Sequence, residues 1–237
     1  MTESLSKLRV AAGVALSTAW VSLRVLLDTR KPTSHRLMYP RQMWAPSVLK
    51  TAGVSLVVTG TENVLPERPC IYIMNHQSNF DVPAVFMALP VPICFVAKAE
   101  LRKIPVFGHA MNALGMIFID RSNPERAIES IKAGADLIRG GVNVMAFPEG
   151  TRSPDGEIGR FKRGIFTLAL EARVPIVPMA INGSWEVLPP GTSVPRSGEI
   201  HIKIGRAIAV EHNEMGELRS AVRDAVVALF NELREPR

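Results

Sequence analysis

From residue 53 onward, short apolar runs alternate with segments of helical periodicity, and this alternation restricts the chain to an α/β architecture. Strands are predicted over residues 54–59, 70–75, 93–97, 116–120, 142–147, 175–181 and 199–204. Helices are predicted over 82–89, 124–139, 164–172 and 214–233, with a broken helix over 101–114 interrupted at Pro105 and Gly108. Asn123-Pro124 and Gly140-Gly141 bound the second of these helices, a start and a stop signal in the expected order. Pro175 and Pro178 place the 175–181 strand near an edge or a bulge. The expected fold is a mostly parallel or mixed central sheet with helices on both faces. In such sheets the loops at the carboxyl ends of the strands gather at one edge. That edge would bring together Asn75–Asp81, Asp120–Arg121 and Pro148–Arg163.

Charge separates the first fifty residues from the rest. The chain has 237 residues and a formal net charge of +6. Lys7, Arg9, Arg24, Arg30, Lys31, Arg36, Arg41 and Lys50 are opposed there only by Glu3 and Asp28, and the remaining body is balanced. A basic arm on a neutral body suits an anionic membrane surface better than nucleic acid, for which no recognition motif is present. With 47% hydrophobic and 21% charged residues, the chain is neither disordered nor a multispanning membrane protein. Cys70 and Cys94 lie in apolar runs and read as buried thiols.

The arm has two parts. Val10–Leu23 is apolar and flanked by Arg9 and Arg24. As a helix its length is about 21 Å, short of a bilayer core of about 30 Å. Residues 34–51 mix apolar and basic side chains and are interrupted by Pro40 and Pro46. Two interfacial helices are expected, with Trp20, Tyr39 and Trp44 at headgroup level. The domain reading is residues 1–52 as an N-terminal interfacial helical arm and 53–237 as the α/β domain.

Asn75-His76-Gln77-Ser78-Asn79-Phe80-Asp81 follows a strand and delivers an imidazole and a carboxylate together. A turn can bring Asp81 to one ring nitrogen of His76 and leave the other facing outward as a general base. No serine or cysteine nucleophile is required if the substrate supplies the hydroxyl. A structural pair or helix cap is the ordinary alternative. A second cluster, Phe147-Pro148-Glu149-Gly150-Thr151-Arg152-Ser153, follows another strand. Gly150 permits close backbone approach, Thr151 and Ser153 offer hydroxyls, and Arg152 offers a fork suited to phosphate. Lys98, Arg121, Arg160, Lys162 and Arg163 add cations at strand ends. No cluster has metal-ligand spacing, and His35, His109, His201 and His212 read as structural or surface residues.

Taken together, these blocks resemble the glycerolipid acyltransferase family typified by 1-acyl-sn-glycerol-3-phosphate acyltransferase. Asn75, His76, Ser78 and Asp81 match its Asn-His-x-Ser-x-x-Asp block; Gly115, Phe118, Ile119 and Arg121 match a second. Phe147–Ser153 matches Phe-Pro-Glu-Gly-Thr-Arg-Ser without departure, and Val174–Pro178 matches Val-Pro-Ile-Val-Pro. The resemblance spans roughly residues 54–210. It implies transfer of a fatty acyl group from acyl-CoA or acyl carrier protein to the 2-hydroxyl of lysophosphatidic acid, giving phosphatidic acid in phospholipid biosynthesis. His76 would be the general base and Asp81 its orienting carboxylate. Arg121, Glu149, Gly150, Thr151 and Arg152, with Lys98, would shape the phosphate and glycerol pocket, supported by Asn75 and Ser78. No bound cofactor is implied, because the thioester is a co-substrate. The protein would sit on the cytoplasmic face of the cell membrane as a peripheral or monotopic enzyme. Open alternatives are glycerol-3-phosphate, a lyso-ornithine lipid or another lysophospholipid as acceptor, and a non-catalytic lipid-binding scaffold.

Overall fold

The structure is a computed structural model that describes residues 2–31, 33–119, 124–211 and 214–235. The chain begins with α1 (Thr2–Leu27), α2 (Thr33–Arg36), a π-helical turn Pro40–Trp44 and α3 (Ala45–Ala52). It continues through β1 (Val54–Thr59), β2 (Ile71–Met74), α4 (Asp81–Ala88) and β3 (Ile93–Lys98). Next come α5 (Phe107–Ala113), β4 (Ile117–Ile119), α6 (Pro124–Arg139) and β5 (Asn143–Ala146). It ends with α7 (Gly164–Ala172), β6 (Ile176–Asn182), α8 (Ser184–Val187), β7 (Gly198–Ile204) and α9 (Met215–Arg234).

Among the described residues, seven strands form one sheet in the order β1-β7-β6-β2-β5-β3-β4. β6, β2, β5, β3 and β4 are mutually parallel. β7 joins β6 antiparallel and β1 joins β7 parallel, so the sheet is mixed. The expected α/β fold with helices on both faces is therefore present. Tyr72 and Met74 of β2 pack with residues of α1, α3, α4 and α5 on one face. Ile71 and Ile73 pack with α6, α7 and α9 on the other. That alternation follows from the two-residue period of a strand, and all four side chains are fully buried. The sheet order places β2 and β5 side by side, so the loops that follow them emerge together.

Three expectations are corrected. The β6 strand lies inside the sheet, between β7 and β2, rather than near an edge. Its prolines are tolerated because pairing with β7 begins only at Met179, one residue past Pro178. The 101–114 segment is a 3₁₀ turn at Ala99–Lys103 followed by α5, and Gly108 lies inside that helix rather than breaking it. Gly108 is needed for contact: a Cβ there would lie 2.4 Å from the carbonyl oxygen of Arg102. In the arm, Tyr39 is buried and Trp44 is packed inward, its indole N–H donating to Thr18 Oγ1 at 2.9 Å. Of the three aromatic residues expected at headgroup level, only Trp20 is exposed.

The N-terminal helix is longer than its apolar pattern indicates. Arg9–Leu27 is long and apolar enough to cross a membrane by length and composition. Val21 and Val25 nevertheless enter the same core as Leu37, Val48 and Leu49 and the sheet residues Tyr72 and Ile202. The predicted helix start at Asn123 lies outside the described residues.

Candidate active site

The loop after β2 is held by its own side chains. Asn75 Nδ2 donates to the carbonyl of Ile181 and its Oδ1 accepts the Ile181 N–H, both at 2.9 Å. A side-chain amide thus replaces one rung of the β2–β6 ladder and fixes the point at which the chain leaves the sheet. Ser78 Oγ accepts the Phe80 N–H and donates to the Leu188 carbonyl, tightening the turn. Ser78 is fully buried and has no role as an exposed nucleophile. Asp81 is the first residue of α4, where the helix dipole favours a carboxylate.

His76 and Asp81 meet as the spacing predicts. His76 Nδ1 lies 2.7 Å from Asp81 Oδ2, with the carboxylate fully buried and the imidazole side chain 16% exposed. Asp81 Oδ2 also accepts the backbone N–H groups of Gln77 and Ser78, at 2.7 and 3.0 Å. Surrounded by donors, that oxygen assigns the proton to Nδ1. Nε2 has no hydrogen bond among the described residues, and its lone pair is available. One face of the imidazole stacks on Phe147, with ring centroids 3.9 Å apart and 9° between planes.

The loop after β5 locks onto this turn through main-chain contacts. Glu149 Oε1 accepts the N–H of His76 at 3.0 Å, and the Ser153 N–H donates to the His76 carbonyl at 2.7 Å. Burial pushes Glu149 above the usual carboxylate range, against the opposing pull of the His76 and Gly159 N–H groups. Glu149 is buried and faces into the protein. Gly150 has φ 70° and donates its N–H to the Phe147 carbonyl, a turn that an L side chain would strain. Asp155 accepts from Ser153 Oγ and from the Glu157 N–H, which hold its carboxyl below the usual range.

Thr151 and Lys98 are exposed and Arg152 is half-buried. Among the described residues, Lys98, Arg152, Arg160, Lys162 and Arg163 have no side-chain hydrogen bond or ion pair. Lys98 ends β3 and the other four follow β5, at the carboxyl ends of the strands, on the edge that carries His76. Arg121 lies outside the described residues. A concavity of about 270 Å³ is lined by Asp155, Glu157 and Glu186 with Gln77 and Arg234. His35 and His109 are exposed and His201 pairs with Glu199 at 2.7 Å. Burial pushes the Cys70 thiol up to about 11 and the Cys94 thiol up to about 12.

Two contributors escape the sequence reading. Gln77, the variable position of the first block, is buried; it donates to the Gly156 carbonyl and accepts from Ser184 Oγ. Phe147 ends a strand in the sequence, where nothing signals that its ring meets an imidazole. Both contacts join residues far apart in the chain, and no local pattern encodes them.

The family model described as Acyltransferase matches residues 55–182, which run from β1 to the end of β6 and contain every block above. The chain belongs to this acyltransferase family. It is 33% identical over 202 residues to a 1-acyl-sn-glycerol-3-phosphate acyltransferase of Pseudomonas aeruginosa, covering 83% of this chain and 77% of that protein. It is 36% identical over 154 residues to a chloroplastic protein of the same description from Brassica napus. That match covers 64% of this chain and 44% of the plant protein, so the chain spans less than half of that relative's length. The crystal structure of a 1-acyl-sn-glycerophosphate (LPA) acyltransferase from Thermotoga maritima superposes with a TM-score of 0.84 at 27% identity. That alignment covers 99% of this chain and 98% of the Thermotoga chain. The acyltransferase match thus extends through the N-terminal helices as well as the sheet.

Proposed function

We propose that this protein transfers a fatty acyl group from a thioester to the 2-hydroxyl of lysophosphatidic acid, forming phosphatidic acid. The observation that carries this reading is the His76–Asp81 pair: a buried carboxylate 2.7 Å from Nδ1, with Nε2 unpartnered. Ser78 is buried and both cysteines are buried with raised pKa values, so neither thiol nor that hydroxyl is poised as a nucleophile. The acceptor's own hydroxyl fills that place.

His76 Nε2 takes the proton of the hydroxyl as its oxygen attacks the thioester carbonyl. Asp81 stabilises the imidazolium and holds the tautomer. The tetrahedral intermediate collapses with loss of the C–S bond, and Nε2–H returns the proton to the leaving thiolate. Acid–base help of this kind supplies about 10²–10⁴ in rate. Arg152, Lys98 and Arg121 would hold the acceptor phosphate, with Gly150 and Thr151 at the pocket wall. Glu149 serves the same pocket indirectly, by pinning the backbone of His76.

The reaction belongs on a membrane surface. Leu16, Trp20, Leu23 and Leu27 of α1 are 44–71% exposed and recur on one side of the helix. Ile104 and Val106, in the turn leading into α5, are exposed as well, and α5 packs on α1. An apolar stripe beside basic residues suits the interface of an anionic bilayer, with the enzyme on the cytoplasmic side and the thioester donor arriving from solution. Residues 1–52 then act as the membrane-binding part of the molecule, and 53–237 carry the chemistry.

The test is acyl transfer from labelled acyl-CoA and acyl carrier protein, each against lysophosphatidate, glycerol-3-phosphate and other lysolipids, with His76→Ala in parallel. Transfer to lysophosphatidate that is lost in His76→Ala supports the proposal. Transfer that survives the substitution overturns the mechanism, and a different preferred acceptor overturns the substrate.

A further inference from the structure

The ring pair at the dyad differs from every other ring contact in the described residues. The ring planes of His76 and Phe147 are nearly parallel, whereas the remaining pairs meet at 36° to 85°. Both stacked and edge-on arrangements are favourable for aromatic rings, and here only the dyad's imidazole takes the stacked one. A parallel stack with centroids 3.9 Å apart imposes an orientation on the imidazole.

The hydrogen bond to Asp81 leaves that orientation incomplete. It fixes one ring atom, Nδ1, but an N–H···O angle down to about 150° is still a good hydrogen bond, so the ring can still tilt about Nδ1. Such a swing carries Nε2, the atom that must face the acceptor hydroxyl, along an arc. A tilt of about 30° displaces it by about 1 Å, and misplacement on that scale costs about 10² in rate. A flat surface against one imidazole face removes this freedom, and Phe147 supplies it.

Phe147 is itself supported. Phe95 lies against it with centroids 6.0 Å apart, and Phe86 backs Phe95 at 5.1 Å. Trp44 meets Phe86 edge-on at 6.0 Å and is tied to Thr18 of α1. At its own backbone, the Phe147 carbonyl accepts the Gly150 N–H, so the turn that forms the second loop also seats the ring. The platform under the imidazole is therefore braced from the sheet through to the N-terminal helix.

We propose that Phe147 is a positioning residue, its ring setting the plane of His76 so that Nε2 addresses the acceptor hydroxyl. This rests on the acyl-transfer reading above.

The experiment compares the full-length protein with Phe147→Leu, Phe147→Met and Phe147→Tyr on lysophosphatidate-containing vesicles with acyl-CoA. Both ring-free variants should lose about ten- to a hundredfold in kcat with KM for lysophosphatidate nearly unchanged, and Phe147→Tyr should stay within about threefold. A general packing defect would instead lower all three variants together. In parallel, NMR of histidine-labelled protein reads the stack directly. The His76 ring protons should lie upfield of those of the other four histidines, keep that position in Phe147→Tyr, and move downfield in the ring-free variants. Wild-type kcat in Phe147→Leu or Phe147→Met, an equal loss in Phe147→Tyr, or His76 resonances that do not respond would each overturn the proposal. If wild-type protein acylates no acceptor, the reading of the function fails, and the resonances still report separately on whether the stack exists.

Discussion

Glu149 Oε1 accepts the backbone N–H of His76 at 3.0 Å, so a carboxylate 73 residues downstream holds the main chain of His76. Removing this acceptor leaves the half-buried His76 N–H without its partner and takes the acceptor from the exposed Gly159 N–H. Glu149→Ala should cost about 1–3 kcal/mol in urea unfolding and lower activity with it. Unfolding with an unchanged urea midpoint would show that the contact is dispensable.

The same residue gives a pH dependence with a definite sign. Its folded-state pKa is raised by burial, so the folded protein binds this proton more tightly than the unfolded chain. Its contribution to stability is present at acid pH and is lost as pH rises from the ordinary value of 4.5 through the raised one. Glu149→Gln, which has no proton to lose, should therefore gain stability relative to wild type as pH rises across that window. Parallel urea midpoints for the two proteins at all pH values would contradict this.

Asp81→Asn should leave the protein folded but reduce kcat by about 10²–10⁴, because an amide no longer enforces the Nδ1–H tautomer. Asp81→Ala should be less stable than Asp81→Asn, since the Gln77 and Ser78 N–H groups then lose their acceptor. Steady-state rates and thermal unfolding of the two variants separate the effects.

Asn75 satisfies both the N–H and the carbonyl of Ile181. Asn75→Ala should cost about 1–3 kcal/mol by stranding both groups. Asn75→Asp keeps the acceptor but cannot donate, and should also destabilise the fold. Chemical denaturation of both variants checks this, and stability equal to wild type would mean that water restores the rung.

Membrane attachment is better tested at the surface of α1 than by deletion. Removing residues 1–50 would strip Val21, Val25, Leu37, Val48 and Leu49 from the core. The triple change Leu16→Ser, Trp20→Ser and Leu23→Ser alters exposed positions only. It should weaken co-sedimentation with anionic vesicles at least about tenfold, since each of these side chains is worth up to about 1.5–3 kcal/mol when buried. Trp44→Phe, at a residue packed inward, should leave co-sedimentation intact.

The sequence by itself determined the α/β class, nearly every strand and helix, and the pairing of His76 with Asp81. These depend on local periodicity and on a spacing of five residues, which a single turn can close. It also carried the four blocks that place the chain in its acyltransferase family. Tertiary structure alone decided where the cooperating groups come from. Strand order set β5 beside β2, and only that adjacency lets Glu149 and Ser153 grip His76 and lets Phe147 stack on its ring. It turned Glu149 inward, which a charge-based reading of the loop could not show. It also seated Pro178 inside the sheet, beyond the end of the β7 ladder, where a proline rule applied to the strand alone predicts an edge. It buried Tyr39 and packed Trp44 inward while leaving Trp20 exposed. Amphipathic patterning identifies aromatic residues suited to an interface, but which of them meets solvent depends on what packs against them.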